Sequence, residues 1–383
     1  MRCEVQTLAA IEGIDATRWN ALVDADQPFL RHEFLHALEA SGAVTQQRGW
    51  TPSHLLVWQG GRLIAALPRY YKTHSYGEYV FDWAWADAWE RAGGSYYPKG
   101  LSAIPFTPAP GPRVLMAPGC ERHDVLRALA ERCCDASLSS WHLLFAENAE
   151  VDAWLAVRPR LIERHAVQFQ WRDRGFGDFD GFLAAMTSKR RKEVRRERRR
   201  VAEQGLSLHR LSGERIDRAA LEHFYRCYRM TYLERGQRPY LSYEFFARLH
   251  ESLPQALLLI QARLGGQPVA AALCLQGDKT LYGRYWGSEV AADCLHFETC
   301  YYQGIEHCLE QGLTRFDPGT QGEHKLTRGF APRLLRSLHY IADPDFHRAV
   351  AHFCREESDY VMAYHREAMS RLPFRDAPAQ AAD

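Results

Sequence analysis

Leu258-Leu259-Ile260, Gly265-Gly266 and Val269-Ala270-Ala271-Ala272 read as two apolar strands joined by a glycine turn. The same order stands near the start of the chain as Leu55-Leu56-Val57-Trp58, Gly60-Gly61 and Ile64-Ala65-Ala66-Leu67. A glycine pair between apolar runs suits a tight antiparallel hairpin, because its turn residues take positive φ. In each copy helical patterns come first. Residues 17–42 place Leu30, Phe34, Leu35 and Leu38 on one face, with Thr17 as a candidate cap; residues 218–235 and 243–253 precede the second hairpin. Repetition on this scale reads as internal duplication. Helices, a meander, then a helix and a further strand predict an α/β sandwich around a mixed sheet, built twice. The 383 residues suit two domains. The expected division is 1–165 and 166–374, with 375–383 as a disordered tail.

Composition narrows the class. Hydrophobic content of 46% and charged content of 25% are those of a globular chain, and a net charge of +1 supplies no overall field for nucleic acid or membrane. The ten cysteines show no CxxC and no repeated Cys/His ligand spacing. Buried free thiols in a reducing compartment are expected, and no metal site. Met1-Arg2-Cys3-Glu4-Val5 lacks the apolar run of a signal peptide, and no stretch has the roughly 18 consecutive apolar residues of a membrane span. A cytoplasmic protein without a transmembrane segment is the expectation; oligomeric state is left open.

The neutral balance hides a local excess. Residues 188–200 carry nine cations and two anions, or +7, on a predicted helix over 188–203 with Ser188 as its cap. Only Val194, Val201 and Ala202 give it an apolar seam. A solvated face is the plain reading of a charge run, but like charges this dense repel unless an anion lies near. That anion is either external, such as a nucleotide pyrophosphate, RNA or acidic lipid, or the protein's own acidic remainder.

Asp317-Pro318-Gly319-Thr320-Gln321-Gly322-Glu323-His324-Lys325-Leu326-Thr327-Arg328-Gly329-Phe330-Ala331-Pro332 has neither helical nor strand period. It follows a predicted helix from His296 to Gly312 and a short strand at 313–316. It therefore leaves the carboxyl end of a strand, where α/β sheets place their ligands. A solvated polar turn is the alternative. A second candidate lies at Tyr79 to Arg113, where Trp83, Trp85, Tyr97 and Lys99 line either a substrate groove or a rigid connector. Five prolines from Pro98 to Pro112 make that path neither helix nor central strand.

Several of these stretches together resemble the FemAB-like proteins, labelled as peptidoglycan biosynthesis/recognition. They are Phe81-Asp82-Trp83-Ala84-Trp85-Ala86, Tyr96-Tyr97-Pro98-Lys99, Pro105-Phe106-Thr107-Pro108 with Gly111-Pro112-Arg113, Gln168 to Trp171, Lys189-Arg190-Arg191-Lys192, and Gly322-Glu323-His324-Lys325 with Arg328-Gly329-Phe330. The resemblance covers nearly the whole chain. It implies two tandem GNAT-like acyltransferase domains with a short basic helical insertion. It also implies kinship with Fem-type transferases, which pass an aminoacyl group from aminoacyl-tRNA to an amine of a peptidoglycan precursor. Where acetyl-CoA enzymes of the GNAT fold carry a glycine-rich pyrophosphate loop, this chain reads Gly287-Ser288-Glu289-Val290-Ala291-Ala292-Asp293-Cys294. One glycine, no cation and two acids work against a pyrophosphate there.

The functional expectation is N-acyl or aminoacyl transfer in the second half. His324 or Glu298 serves as base, and Lys325 and Arg328 hold an anionic group or the oxyanion. Arg284, Tyr285, Trp286, His296, Gln321 and Gly322 contact substrate. Lys189, Arg190, Arg191 and Arg195 attract donor phosphates. The donor is aminoacyl-tRNA, with acyl-CoA as the alternative; the acceptor is a peptidoglycan precursor or a similar small molecule. A non-catalytic binder of RNA or cell-wall precursor remains a third reading.

Overall fold

The computed structural model describes residues 3–135, 137–320 and 322–375. They form two compact units, Met1–Val167 with Leu334–Tyr364, and Gln168–Arg333 with His365–Asp383. A sequential division at 165/166 therefore differs by the segment from Leu334 to Tyr364. That segment joins the first unit because its strand pairs there, Tyr340 opposite Trp141.

In the first unit, β1 (Glu4–Leu8), β3 (His54–Gln59), β4 (Arg62–Leu67) and β7 (Leu115–Met116) make a four-stranded antiparallel sheet. A second layer runs β15-β8-β6-β5-β2, from β2 (Trp50–Pro52), β5 (Tyr70–Lys72), β6 (Lys99–Ser102), β8 (Ser140–Ala146) and the later part of β15 (Ala331–Ile341). Lys99–Ser102 is thus an interior strand, where the prolines argued against one; it fits because it lies between Pro98 and Pro105 and contains neither. The helices are α1 (Ala16–Asn20), α2 (His32–Ala40), α3 (Trp83–Arg91), α4 (Arg122–Cys133) and α5 (Asn148–Val157). Asp15 caps α1 by accepting from the Arg18 amide, so Thr17 lies inside the helix rather than at its cap. Leu55, Val57, Leu67, Trp141 and Trp154 fill the core with no exposure.

The second unit contains the end of β9 (Ile162–Arg172), then α6 (Phe179–Ala185), the basic helix α7 (Ser188–Glu203), β10 (Leu206–Ser212), α8 (Arg218–Leu233) and α9 (Tyr243–Ser252). The meander β11 (Leu257–Leu264), β12 (Gln267–Gln276) and β13 (Thr280–Ser288) follows, then β14 (Arg315–Asp317). The sheet order is β10-β11-β12-β13-β14-β9, antiparallel except between β13 and β14. A parallel pair needs a crossover. Here α10 (Leu295–Phe297), a π-helical turn at Glu298–Tyr302 and α11 (Gln303–Gln311) provide it, and Gly312 closes the run in the left-handed region. The last helix, α12 (Pro344–Ser370), gives its residues through Tyr364 to the first unit and those from His365 to the second.

The two hairpins match in detail. Gly60 and Gly61, like Gly265 and Gly266, all have positive φ. Each hairpin shifts register at one place: Val57 pairs Ala65 and Trp58 pairs Leu63, as Ala262 pairs Ala270 and Arg263 pairs Pro268. The extra residue is Ile64 in one and Val269 in the other. A bulge at the same offset adds twist at the same point, a geometric counterpart of the sequence repeat.

Two local expectations change. Residues 323–328 are a 3-10 helix rather than irregular loop, framed by Gly322 and Gly329 at φ 107 and 91. Arg375, the first residue of the expected disordered tail, is exposed but held, its guanidinium donating to the Met186 carbonyl beside the bridge between Phe374 and Met186. The rest of the expected tail, 376–383, lies outside the described residues. Among those described, no helix is long and apolar enough to cross a membrane.

β13 lies close against α8. A Cβ on Gly287 would sit 1.9 Å from the Cys227 carbonyl oxygen, a backbone atom that cannot rotate away. Gly287→Ala should cost about 1–3 kcal/mol or more of stability in chemical denaturation, whereas Gly266→Ala meets no atom and loses only what its positive φ imposes.

Candidate functional site

The site in the second unit begins with a buried ion pair. Arg328 Nη2 donates to Glu197 Oε1 at 2.6 Å, and its Nε donates to Glu197 Oε2 at 3.2 Å and to Tyr302 Oη at 3.0 Å. Tyr302 in turn donates to Glu197. Arg328 Nη1 donates to the His324 carbonyl at 2.8 Å, and the guanidinium lies 3.4 Å from the centre of the Phe297 ring. Glu197 is the anion of the basic helix that falls in its apolar seam, three residues after Val194 and four before Val201, and all three are buried. Arg328 is therefore a clamp between α7, the π turn and the 323–328 helix. Its donors are committed within the protein, which revises its expected role at an oxyanion.

His324 sits above this clamp. It is exposed, and its Nε2 lies 2.8 Å from Tyr301 Oη. Gly322 makes the placement possible, since a Cβ there would lie 2.1 Å from His324 Cε1. His296 and Phe297 stand nearby, with ring centres 6.1 and 5.5 Å from His324, and His296 also meets Trp286. Burial, then Arg328 and Lys325, lowers the pKa of His324. Burial pushes His296 further, to about 4, with His324, Lys325 and Arg328 adding repulsion. Both imidazoles are thus neutral near pH 7. Burial holds the Tyr301 phenol far above its ordinary range, so it stays protonated.

The other expected site residues divide. Lys325 is buried, donates to the Gly319 carbonyl at 2.6 Å, and is pushed down by burial to about 8 against the pull of Asp317. Arg284 pairs with both Asp317 oxygens at 3.2 Å. Trp286 shares the His296 side of β13, but Tyr285 points to the opposite face, as alternation requires. It packs with Phe224, Tyr228 and Phe246, so it belongs to the α8–α9 core rather than the His324 cluster. Glu298 is buried beneath Arg198, which donates to its oxygens at 3.1 and 3.2 Å, and Gln303 donates to it at 2.8 Å. A carboxylate so tied is a weaker candidate base than His324. Gln321 lies outside the described residues.

The basic helix answers part of its own charge question. Arg198 meets Glu298 and Glu306, Arg200 meets Asp293, Arg195 meets Asp180 and Arg190 meets Glu193. Arg191 reaches Ser188, which is the first helical residue after the cap Thr187 rather than the cap itself. Lys189, Lys192 and Arg196 are exposed and make no ion pair among the described residues.

Trp83, Trp85, Tyr97 and Lys99 belong to the first unit. Lys99 is fully buried, and its ammonium donates to Ser75, Glu78 and Asp82 at 2.8, 2.8 and 2.6 Å. Tyr96 donates to Asp82 at 2.7 Å, and His142 and His339 face each other through Nδ1 atoms 2.7 Å apart. Burial raises Glu78 to about 7 against the pull of Lys99. Burial would raise Asp82 too, but Lys99 and His142 hold it well below its usual range. Lys99 has no donor left, and Trp85 is buried, so the open groove expected here is instead an internal charge network. Trp83 and Tyr97 remain half-exposed at its edge.

Sequence reasoning missed Glu197, Phe297, Tyr301 and Tyr302. The seam position of Glu197 was the legible signal. The tyrosines carried none, because an unbroken α-helix at this place would spread them differently from the π turn.

A mixed α/β sheet layered with helices, with a β-meander followed by a crossover helix, is the arrangement of a GNAT-like fold. The chain belongs to the FemAB-like family, described as peptidoglycan biosynthesis/recognition, whose profile matches residues 10–376. No curated protein matches the sequence. Among solved structures, the chain is similar to the C-terminal domain of a protein assigned as a lysylphosphatidylglycerol synthetase from Agrobacterium fabrum, at 10% identity, 88% and 93% coverage of the two chains and a TM-score of 0.53. A protein of unknown function from Bacteroides thetaiotaomicron matches at 11% identity, 88% and 99% coverage and a TM-score of 0.50. FemX matches at 13% identity, 80% and 92% coverage and a TM-score of 0.49. The family ties the chain to peptidoglycan biosynthesis/recognition, and the solved structures show the shared fold.

Removing Arg328 strands Glu197 in a buried position, so Arg328→Ala should lose about 3–5 kcal/mol in urea denaturation, while His324→Ala, at an exposed side chain, should change stability by about 0.5 kcal/mol or less. The His296 pKa is depressed in the fold, so its contribution is intact above about 6.5 and is lost as pH falls toward 4. The melting temperature should drop over that interval, and His296→Gln should flatten the drop; an unchanged slope would remove His296 from the account.

Proposed function

We propose that the protein is an N-acyltransferase that moves an aminoacyl group from aminoacyl-tRNA to an amine of a peptidoglycan precursor, with His324 as the base. The observation that carries this reading is the exposed imidazole with Nε2 2.8 Å from the Tyr301 hydroxyl, held neutral by its surroundings. With Nε2–H donating to Tyr301, Nδ1 keeps its lone pair and takes the proton of the attacking amine. The amine nitrogen bonds to the acyl carbon and the carbonyl electrons move to oxygen; their return breaks the bond to the donor's ribose oxygen, which takes the proton from Nδ1 and leaves as the hydroxyl. Lys325 and Arg328 act from beneath as fixed positive charge that favours this oxyanion, without direct contact. Lys189, Lys192 and Arg196 offer exposed cations for a donor's phosphates. The acidic Glu289 and Asp293 disfavour the pyrophosphate of an acyl-CoA. Family membership supports the acceptor class.

The test is transfer from labelled aminoacyl-tRNA, or from acyl-CoA in a parallel arm, to a UDP-muramyl peptide. His324→Ala should lower kcat by about 100-fold or more with unchanged melting temperature, and Tyr301→Phe by less. Full activity in His324→Ala would overturn the assignment of the base. Turnover with acyl-CoA alone would replace the donor.

A further inference from the structure

A second cluster in the same unit plays no part in that chemistry. His223 and Cys227 are one turn apart on α8, so their side chains leave the same face. Glu289 reaches them from the residue that follows β13. His223 Nε2 lies 3.4 Å from Cys227 Sγ and 3.7 Å from Glu289 Oε2, and all three atoms lie within 4.8 Å of one another. His223 and Cys227 are buried, while Glu289 is partly open to solvent.

The spacing carries the argument. Tetrahedral zinc with bonds of about 2.3 Å to sulfur, 2.0–2.1 Å to nitrogen and 2.0–2.2 Å to oxygen requires ligand atoms roughly 3.4–3.6 Å apart. The 3.4 Å edge between His223 and Cys227 meets that requirement, and the 3.7 Å edge between His223 and Glu289 comes within about 0.3 Å of it, a shift that a rotation of the partly exposed Glu289 side chain supplies. Two further features fit. Arg226 Nε donates to Glu289 Oε1 at 3.2 Å, which orients the carboxylate and leaves Oε2 toward the imidazole. Gly287 lets β13 approach the Cys227 backbone closely, which sets the distance between the strand that delivers Glu289 and the helix that carries the other two ligands.

We propose that His223, Cys227 and Glu289 bind a divalent cation of zinc type, with water in the fourth position. A thiolate, an imidazole and a carboxylate form a donor set that favours zinc over magnesium or calcium. The Cys227 thiol gives its proton to solvent on binding. One thiolate and one carboxylate balance the two charges of the ion. The ion ties the first residue of the 289–294 loop to α8. The sequence expectation of no metal site is revised, because the ligands are brought together by β13 pairing against α8 and not by a repeated Cys/His spacing.

The test uses the whole protein, and its readout is metal binding, so it stands apart from the transferase assay. The protein is stripped with a chelator, then titrated with zinc against a chromophoric competitor, and with cobalt. The expected result is stoichiometric zinc, a raised melting temperature, and a thiolate-to-cobalt charge-transfer band. Cys227→Ser should abolish the band, and Glu289→Gln, at an exposed and tolerant position, should weaken zinc by about 10-fold or more. Absence of stoichiometric zinc, or an equal affinity and an unchanged cobalt band in Cys227→Ser, would overturn the site.

Discussion

The second unit depends on one buried interaction, Arg328 with Glu197 under the hydroxyl of Tyr302. A charge pair with little access to water is strongly attractive only when its remaining hydrogen-bond capacity is met. Here Tyr302, the His324 carbonyl and the Phe297 ring meet it. The clamp explains why the basic helix docks at all: a surface with so few apolar residues is held by Glu197 from within and by Arg198 on Glu298 and Glu306. It also fixes the backbone of His324, so that the imidazole is exposed on a rigid base.

The π turn at Glu298–Tyr302 is the second constraint. One extra residue in a helical turn redirects every side chain after it. It lets Tyr301 face His324 while Tyr302, its neighbour in sequence, reaches Glu197. π turns concentrate at functional sites because they are strained relative to an α-helix and survive only where local contacts support them. The aromatic ring contacts among His296, Phe297, Tyr301 and His324 are that support.

The first unit repeats the hairpin but not the site. Its charges are turned inward, with Lys99 satisfied by Ser75, Glu78 and Asp82 and with a neutral histidine pair behind them. Two carboxylates sharing one ammonium divide its effect unequally, which is why Glu78 rises while Asp82 falls. The motif-bearing residues of this half thus specify a polar core. Trp85, Tyr96 and Lys99 serve packing and charge balance there.

The two hairpins, the order of elements around them and the strand-end position of the His324 loop were legible in the amino-acid pattern. Those features rest on local rules: glycine for positive φ, alternation for strands, periodicity for helices. The same pattern also marked His324, Lys325 and Arg328 as chemically dense. Tertiary packing leaves His324 exposed and buries the other two. Arg328 and Lys325 look alike in sequence to any substrate-binding cation, but their partners Glu197 and the Gly319 carbonyl are chosen by packing. The return of Leu334–Tyr364 to the first unit, the pairing of Tyr301 with His324 and the meeting of His223, Cys227 and Glu289 are likewise contacts between distant segments. No local pattern encodes them, because burial and sheet pairing act on the folded chain as a whole.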